Sequence, residues 1–325
     1  MKVKTVLSHM RSSWVLRQWD KVLLLIVVIA FFVLLPSQGI ALFSTEIVKN
    51  PFRQVPFAVL TPRPYPVSLT NIYPQDEVSA RGIVILDPDS GATLFQRNAD
   101  ESLSPASTTK ILTALVALDA YSLDDVVTVQ TVVNSGQVMG LFPGEQITVE
   151  YLLYGALIHS GNDAAWALAE HYKGGVDAFV TAMNVKAQSL HLTASHFTNP
   201  VGYDNPDHKM TATDLARLSA FALTNHTIAK IVAIPQITIS DVAHTRFHAL
   251  TNVNQLLGKI PGVGGIKTGW TEEAGENLVT LVTRNSHSVI IVVLKSTDRF
   301  KDTSYLIDWV FSNFEWKTFS PDSAN

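Results

Sequence analysis

The chain has 325 residues, 47% of them hydrophobic, and 24 lysines and arginines against 28 acidic residues give a net charge of -4. That length fills one large core or two modest ones, and the charge argues against a nucleic-acid footprint. No cysteine is present, which excludes a disulfide framework, thiolate chemistry and Cys-based zinc sites and fits an exported protein.

Residues 1–21 form a basic leader in which Lys2, Lys4, Arg11, Arg17 and Lys21 face a single acid, Asp20. VLLLIVVIAFFVLL follows at residues 22–35 without a charge. Extended to Phe43, it is long enough to cross a hydrocarbon core of ~30 Å at ~1.5 Å per residue. The basic leader places the N-terminus in the cytoplasm and the remainder outside. Ser37-Gln38-Gly39 resembles a small-x-small cleavage site, so both an uncleaved transmembrane anchor and a cleaved signal fit; the long leader favours the anchor. Residues 44–76 contain Pro51, Pro56, Pro62, Pro64, Pro66 and Pro74 with little periodicity and are expected to be an extended spacer. The folded domain is expected over 77–317, with a tail at 318–325.

ARGIVILDPDSGATLFQRN reads as two strands joined at Pro88-Asp89-Ser90-Gly91, and NLVTLVTRNSHSVIIVVL repeats the pattern around Arg284-Asn285-Ser286. Between these hairpins the spacing predicts helices over 104–120, 148–172, 175–191 and 211–224, and an amphipathic helix follows at about 303–314. In the first, Ser104 suits the cap and Pro105 the first helical position. The order implies an α/β domain with an antiparallel sheet built from both chain ends, flanked by helices and carrying a helical insertion.

Three strings within this frame have chemical potential. In SPASTTK, Ser107 and Lys110 are three apart at a helix mouth, so a hydroxyl and an amine share a face; a capped core helix with a snorkelling lysine is the bland alternative. In IHSGND, Ser160 and Asn162 lie between two helices, where a turn and a cap would also use them. In GVGGIKTGWT, Lys267, Thr268 and Gly269 could equally be a strand ending in a glycine turn. Other candidates carry less. His244 and His248 in HTRFH lack the glutamate of a zinc-protease signature, so neither a metal nor any other cofactor is expected. His171 and Tyr172 suit helix-end packing. Asp163, Asp214 and His208 suit capping or pairing, and Arg299, after the last strand, suits a surface position, with binding of a carboxylate as its alternative.

Ser-x-x-Lys, Ser-x-Asn and Lys-Thr-Gly occur here in the order found in penicillin-recognising serine enzymes. From about Ala80 to Trp309 the chain further resembles the D-alanyl-D-alanine carboxypeptidases, the low-molecular-mass penicillin-binding proteins. The similarity includes LDPDSGATLFQRNADESLSPASTTK, LIHSGNDAA, FTNPVGYDNPDHKMTATDLARLS and TNVNQLLGKIPGVGGIKTGWTEEAG. It implies a β-lactamase/transpeptidase-like fold with Ser107 as nucleophile, Lys110 as base and Ser160 as proton relay. Asn162 would bind a substrate amide, Lys267 and Thr268 the terminal carboxylate, and Gly269 would leave room for substrate beside a strand. The backbone N–H groups of Ser107 and Trp270 would form the oxyanion hole. Lys110 can act as a base only when neutral, a state favoured by burial and by Lys267.

The implied partners are peptidoglycan stem peptides and, as inhibitors, β-lactams; the membrane would be engaged through the N-terminal helix. The expected location is the bacterial cell membrane with the domain on its outer side, or a secreted form if residues 1–39 or so are removed. A DD-endopeptidase uses identical motifs. A class A β-lactamase would need a Glu-x-x-x-Asn string absent between Ser160 and Lys267, and a non-catalytic wall-binding protein would not need the motif side chains. Many members of the family carry a β-rich second domain and a C-terminal membrane helix. This chain ends at DWVFSNFEWKTFSPDSAN, which adds weight to an N-terminal tether.

Overall fold

The two hairpins expected near opposite ends of the chain join in one sheet. The computed structural model describes residues 19, 21–31, 33, 64–74 and 77–318, in two units, residues 1–60 and 61–325. In the first unit residues 21–31 are helical, and the side chains from Leu23 to Ile29 are exposed. No helix among the described residues is long and apolar enough to cross a membrane. The rest of the expected span over 22–43 lies outside the described residues, as do the leader to residue 18 and the tail from residue 319.

The second unit runs β1 (Tyr65–Ser68), β2 (Gly82–Leu86), β3 (Thr93–Arg97), a 3-10 turn (Ala106–Thr109), α1 (Lys110–Ala120), β4 (Val126–Thr128) and β5 (Gln146–Thr148). It continues with α2 (Val149–Leu157), α3 (Asn162–Glu170), α4 (Gly175–Ser189), α5 (Ala212–Leu223), α6 (His226–Val232), β6 (Gln236–Ser240) and β7 (Phe247–Thr251). Last come β8 (Val263–Thr271), β9 (Gly275–Arg284), β10 (His287–Ser296), α7 (Arg299–Asn313) and β11 (Phe314–Lys317). The main sheet has the order β3-β2-β10-β9-β8 and is antiparallel throughout. Strand β10 is buried from Val289 to Leu294, as a β-branched run covered on both faces should be. Its hairpin with β9 turns on Asn285 and Ser286, both at positive φ, the backbone that a two-residue loop needs to match strand twist.

Side-chain alternation divides this sheet between two cores. Val84, Val279, Ile290, Val292 and Leu294 meet the helical insertion, including Ile111, Leu115 and Leu215. Ile83, Ile85, Leu278, Ile291 and Val293 meet Leu306, Ile307 and Val310 of α7. Helix α1 is buried on all sides from Lys110 to Ala117, so it is the central post of the insertion, and its first turn stands beside β8.

Several expectations need correction. The domain begins before Glu77: Tyr65–Ser68, inside the expected spacer, pairs with β11. A two-stranded ribbon tolerates Pro66, and its partner lies at the far end of the chain, so no local pattern announces it. Ser104 does not cap a helix. The chain passes through the 3-10 turn first, and α1 begins only at Lys110 without a side-chain cap. The helix expected over 148–172 is two helices, separated where Ser160 takes φ 61°. Helix α6 and the small hairpins β4–β5 and β6–β7 were not foreseen; their segments are too short to set a period.

Candidate active site

The turn that carries Ser107 is built by close approach. Ala106 sits at φ 49°, a left-handed conformation that costs an L-residue of order 1 kcal/mol. It is held by two glycines. A Cβ on Gly202 would come within 1.9 Å of the Ala106 carbonyl oxygen, and one on Gly269 would meet the Pro105 carbonyl at 2.9 Å and the Ser107 amide nitrogen at 3.1 Å. The clearance at Gly269 is therefore taken by the serine turn as β8 passes it, rather than left open for substrate. This contact brings the Ser107 amide against β8 one residue before Trp270, so the two backbone groups expected of an oxyanion hole share one wall.

Lys110 Nζ lies 2.8 Å from Ser107 Oγ, 2.6 Å from Asn162 Oδ1 and 2.8 Å from the Val201 carbonyl. Its side chain is fully buried. Burial first, and the Lys267 charge second, hold its amine well below the ordinary lysine range, against an opposing pull from Asp163. Lys267, equally enclosed, donates to Ser160 Oγ at 2.8 Å and to the Thr268 carbonyl at 3.0 Å. Burial, then Arg299, bring it down to about 7.

All three motifs thus converge. Asn162, at the start of α3, donates through Nδ2 to the Ser135 carbonyl at 2.7 Å while its oxygen takes the lysine. Thr268 is buried beside Lys267, and Trp270, the next outward position after Gly269, is 63% exposed. Ser107, Ser160, Asn162, Thr268, Gly269 and Trp270 line a cleft of about 610 Å³ that also includes Gln137, Tyr203, Glu272 and Arg299.

Arg299 takes the cleft position rather than the surface one. It is half-buried, lines the cleft, and donates from Nη1 to the Gly269 carbonyl at 2.7 Å. Its place at the head of α7, next to β8, follows from sheet order, which its local sequence does not carry. Sequence reasoning also missed the 199–203 segment. Asn199 Oδ1 accepts the amides of Val201, Gly202 and Tyr203, and this fixes the carbonyl that Lys110 needs. The string NPVG at 199–202 was the available signal: an Asx turn closed by a positive-φ glycine.

The residues left out of the site have structural partners. Asp163 accepts the amides of Met139, Gly140 and Leu141. Asp214 accepts from Ala194 N and Ser195 Oγ. His208 packs under the serine helix: Thr198 N–H donates to its Nδ1, Nε2 lies 2.8 Å from Thr109 Oγ1, and burial pushes the ring down to about 4. His171 lies tilted against Tyr121, and Tyr172 meets Phe179 edge-on. His248 is buried on β7, 2.6 Å from Glu145, while His244 lies in the preceding turn near Ser240. Among the described residues no cluster of three or more His, Asp or Glu is placed to hold a metal.

A five-stranded antiparallel sheet with an inserted helical lobe, and a serine, two lysines and an asparagine meeting between them, define a penicillin-binding-protein-like α/β fold. Residues 70–298 match the model of peptidase family S11, D-alanyl-D-alanine carboxypeptidase, and the chain belongs to that family. It is 33% identical over 246 residues to D-alanyl-D-alanine carboxypeptidase DacF of Bacillus subtilis, covering 73% of this chain and 63% of the relative. It is 36% identical over 267 residues to DacC of Escherichia coli, covering 76% and 65%. The chain thus spans just under two thirds of the length of these two relatives. Among solved structures, the Streptomyces K15 DD-transpeptidase superposes with a TM-score of 0.69 at 34% identity, covering 72% of this chain and 98% of that one.

Proposed function

We propose that this protein is a serine D-Ala-D-Ala carboxypeptidase that removes the terminal D-alanine from peptidoglycan stem peptides through an acyl-enzyme on Ser107. The observation that carries this reading is the valence of Lys110. A neutral amine has two N–H donors and one lone pair. Two carbonyl oxygens, of Asn162 and Val201, take the donors. The lone pair is left for the Ser107 hydroxyl at 2.8 Å, which makes Lys110 a base aimed at a nucleophile.

Substrate enters with its terminal carboxylate against the Lys267 ammonium and Thr268, with Arg299 close by. Ser107 Oγ attacks the penultimate D-alanine carbonyl carbon and its proton passes to Lys110. The oxyanion accepts from the Ser107 and Trp270 N–H groups. As the C–N bond breaks, the proton held by Lys110 passes through Ser160 to the leaving amine, D-alanine departs, and Lys110 is neutral again. Water then cleaves the ester, its proton returning through Lys110 to Ser107. Asn162 Nδ2, on the cleft wall, offers a donor to a substrate amide.

β-Lactams carry the same carboxylate and acylate the same serine. Their opened ring stays attached and blocks water, and no dedicated glutamate drives water in, so the adduct persists. The deciding experiment gives the full chain a pentapeptide ending in D-Ala-D-Ala and follows free D-alanine. Many turnovers, blocked for minutes or longer by stoichiometric penicillin, are expected. Rapid penicillin hydrolysis without D-alanine release would instead make it a β-lactamase, cleavage confined to cross-linked dimers an endopeptidase, and neither reaction a wall-binding protein.

The basic leader and the apolar run from Val22 support a single-pass anchor with the domain outside the cytoplasm. Expressed in a bacterium, the chain is expected to stay in membranes after carbonate washing and to be open to protease in spheroplasts. A mature N-terminus near Ile40 would show a cleaved signal and a secreted form.

A further inference from the structure

The cleft is lined by one basic side chain, Arg299, and one acidic side chain, Glu272. Lys110 and Lys267 are buried behind the lining Ser107, Asn162 and Ser160. The neighbours of Glu272 are engaged. Glu273 pairs with Lys209 and accepts from Ser104, and Asp204 accepts from Thr271 Oγ1 and Glu273 N. Glu272 is exposed and has no hydrogen-bond or ion-pair partner among the described residues. It lies just past the end of β8, the strand beside which a peptide would run.

We infer that Glu272 is a specificity-determining residue that favours stem peptides with a free ammonium on the side chain of the residue two places before the terminal D-alanine. The inference rests on the carboxypeptidase reading and deepens it. A peptide bound antiparallel to β8, with its carboxylate at Thr268, extends its N-terminal part toward Glu272. Glu272 is four positions on from Thr268, roughly 13 Å along an extended chain. The third residue from the peptide's end lies about 7 Å back from the carboxylate by the same rise, which leaves about 6 Å. An extended side chain of four or more methylenes and the Glu272 side chain can close that gap between them. Trp270, 63% exposed on the same edge, offers an apolar face along which those methylenes can lie. Acylation of the amine, as in a cross-link, would remove the charge and leave the carboxylate without its partner.

The test compares two pentapeptides ending in D-Ala-D-Ala that differ only in whether the third residue's side-chain amine is free or acetylated. D-alanine release by the full chain in detergent is the readout. We expect kcat/KM for the free amine to exceed that for the acetylated peptide by about 3- to 10-fold, as for a partly exposed charge pair, and the ratio to shrink with added salt. Glu272→Gln should bring the ratio to about one and Glu272→Lys should invert it. Because each variant is compared with itself, a loss of folded protein cancels. Equal rates on both peptides with the unaltered chain, or an undiminished preference in Glu272→Gln, would overturn the inference alone. Release from neither peptide would remove the carboxypeptidase reading and the inference with it.

Discussion

The two faces of the main sheet each bury charge, with opposite consequences. On the α7 face, Asp302 accepts from Ser79 N and Oγ, Ala80 N and Ser296 Oγ, at 2.6 to 3.0 Å. Four donors saturate the carboxylate and tie the start of β2 and the end of β10 to the last helix. On the cleft face, Lys110 receives two carbonyls and a hydroxyl, with a second buried lysine nearby and no carboxylate in direct contact. A buried charge with a full set of partners is a tie, whereas a buried amine offered neutral acceptors gives up its proton and becomes a reagent.

The sharpest break in this contrast is at the nucleophile and its base. Ser107→Ala should abolish labelling by a fluorescent penicillin. Lys110→Arg keeps a cation but provides no base, so acylation should fall by about 10²- to 10⁴-fold while circular dichroism shows a folded protein. Near-normal acylation in the arginine variant would show that the buried amine is as structural as Asp302.

Asp302→Ala tests the other face. Two buried and two part-buried donors lose their acceptor, which should cost about 3 kcal/mol and lower Tm by roughly 6–12 °C in a domain of this size. Acylation per folded molecule at 20 °C should not change; a parallel loss would mean that the faces are coupled through the sheet.

Gly269→Ala probes the seam between strand and serine turn. Its Cβ would meet backbone at 2.9 Å, so stability should fall by about 1–3 kcal/mol and acylation by about tenfold as the turn shifts. Unchanged kinetics would show that the turn has slack.

The smallest expected effect is in pH dependence. Lys267 must be charged to meet a carboxylate, and in the free enzyme its proton leaves at about 7, so kcat/KM should decline on the alkaline side from near that pH. Arg299 is the second cause of that low value, after burial. Its positive charge favours proton loss, so Arg299→Gln should move the alkaline limb to higher pH while lowering the overall rate. A limb that stays in place would mean that burial alone sets it.

Much of the fold was legible where residues speak for themselves. The β2–β3 and β9–β10 hairpins were readable because β-branched runs flank turn residues, and α4, α5 and α7 because their apolar positions recur at helical spacing. The 3-10 turn before Lys110 was not readable, since Ser104-Pro105 makes an equally good helix start locally and only packing against Gly202 and Gly269 turns Ala106 left-handed. β1 escaped notice for a related reason: four residues with a proline acquire strand character only from a partner at the other end of the chain.

The sequence by itself determined which side chains could carry the chemistry, because Ser107 with Lys110, Ser160 with Asn162, and the Lys267–Gly269 strand are local strings whose order along the chain is informative. Tertiary structure alone decided what those side chains are. Burial of two lysines within reach of one another, the Val201 carbonyl delivered by the Asn199 turn, and the entry of Arg299 from the head of α7 set the protonation states. Protonation depends on desolvation and on the field of neighbours distant in sequence, and neither is written in any local string.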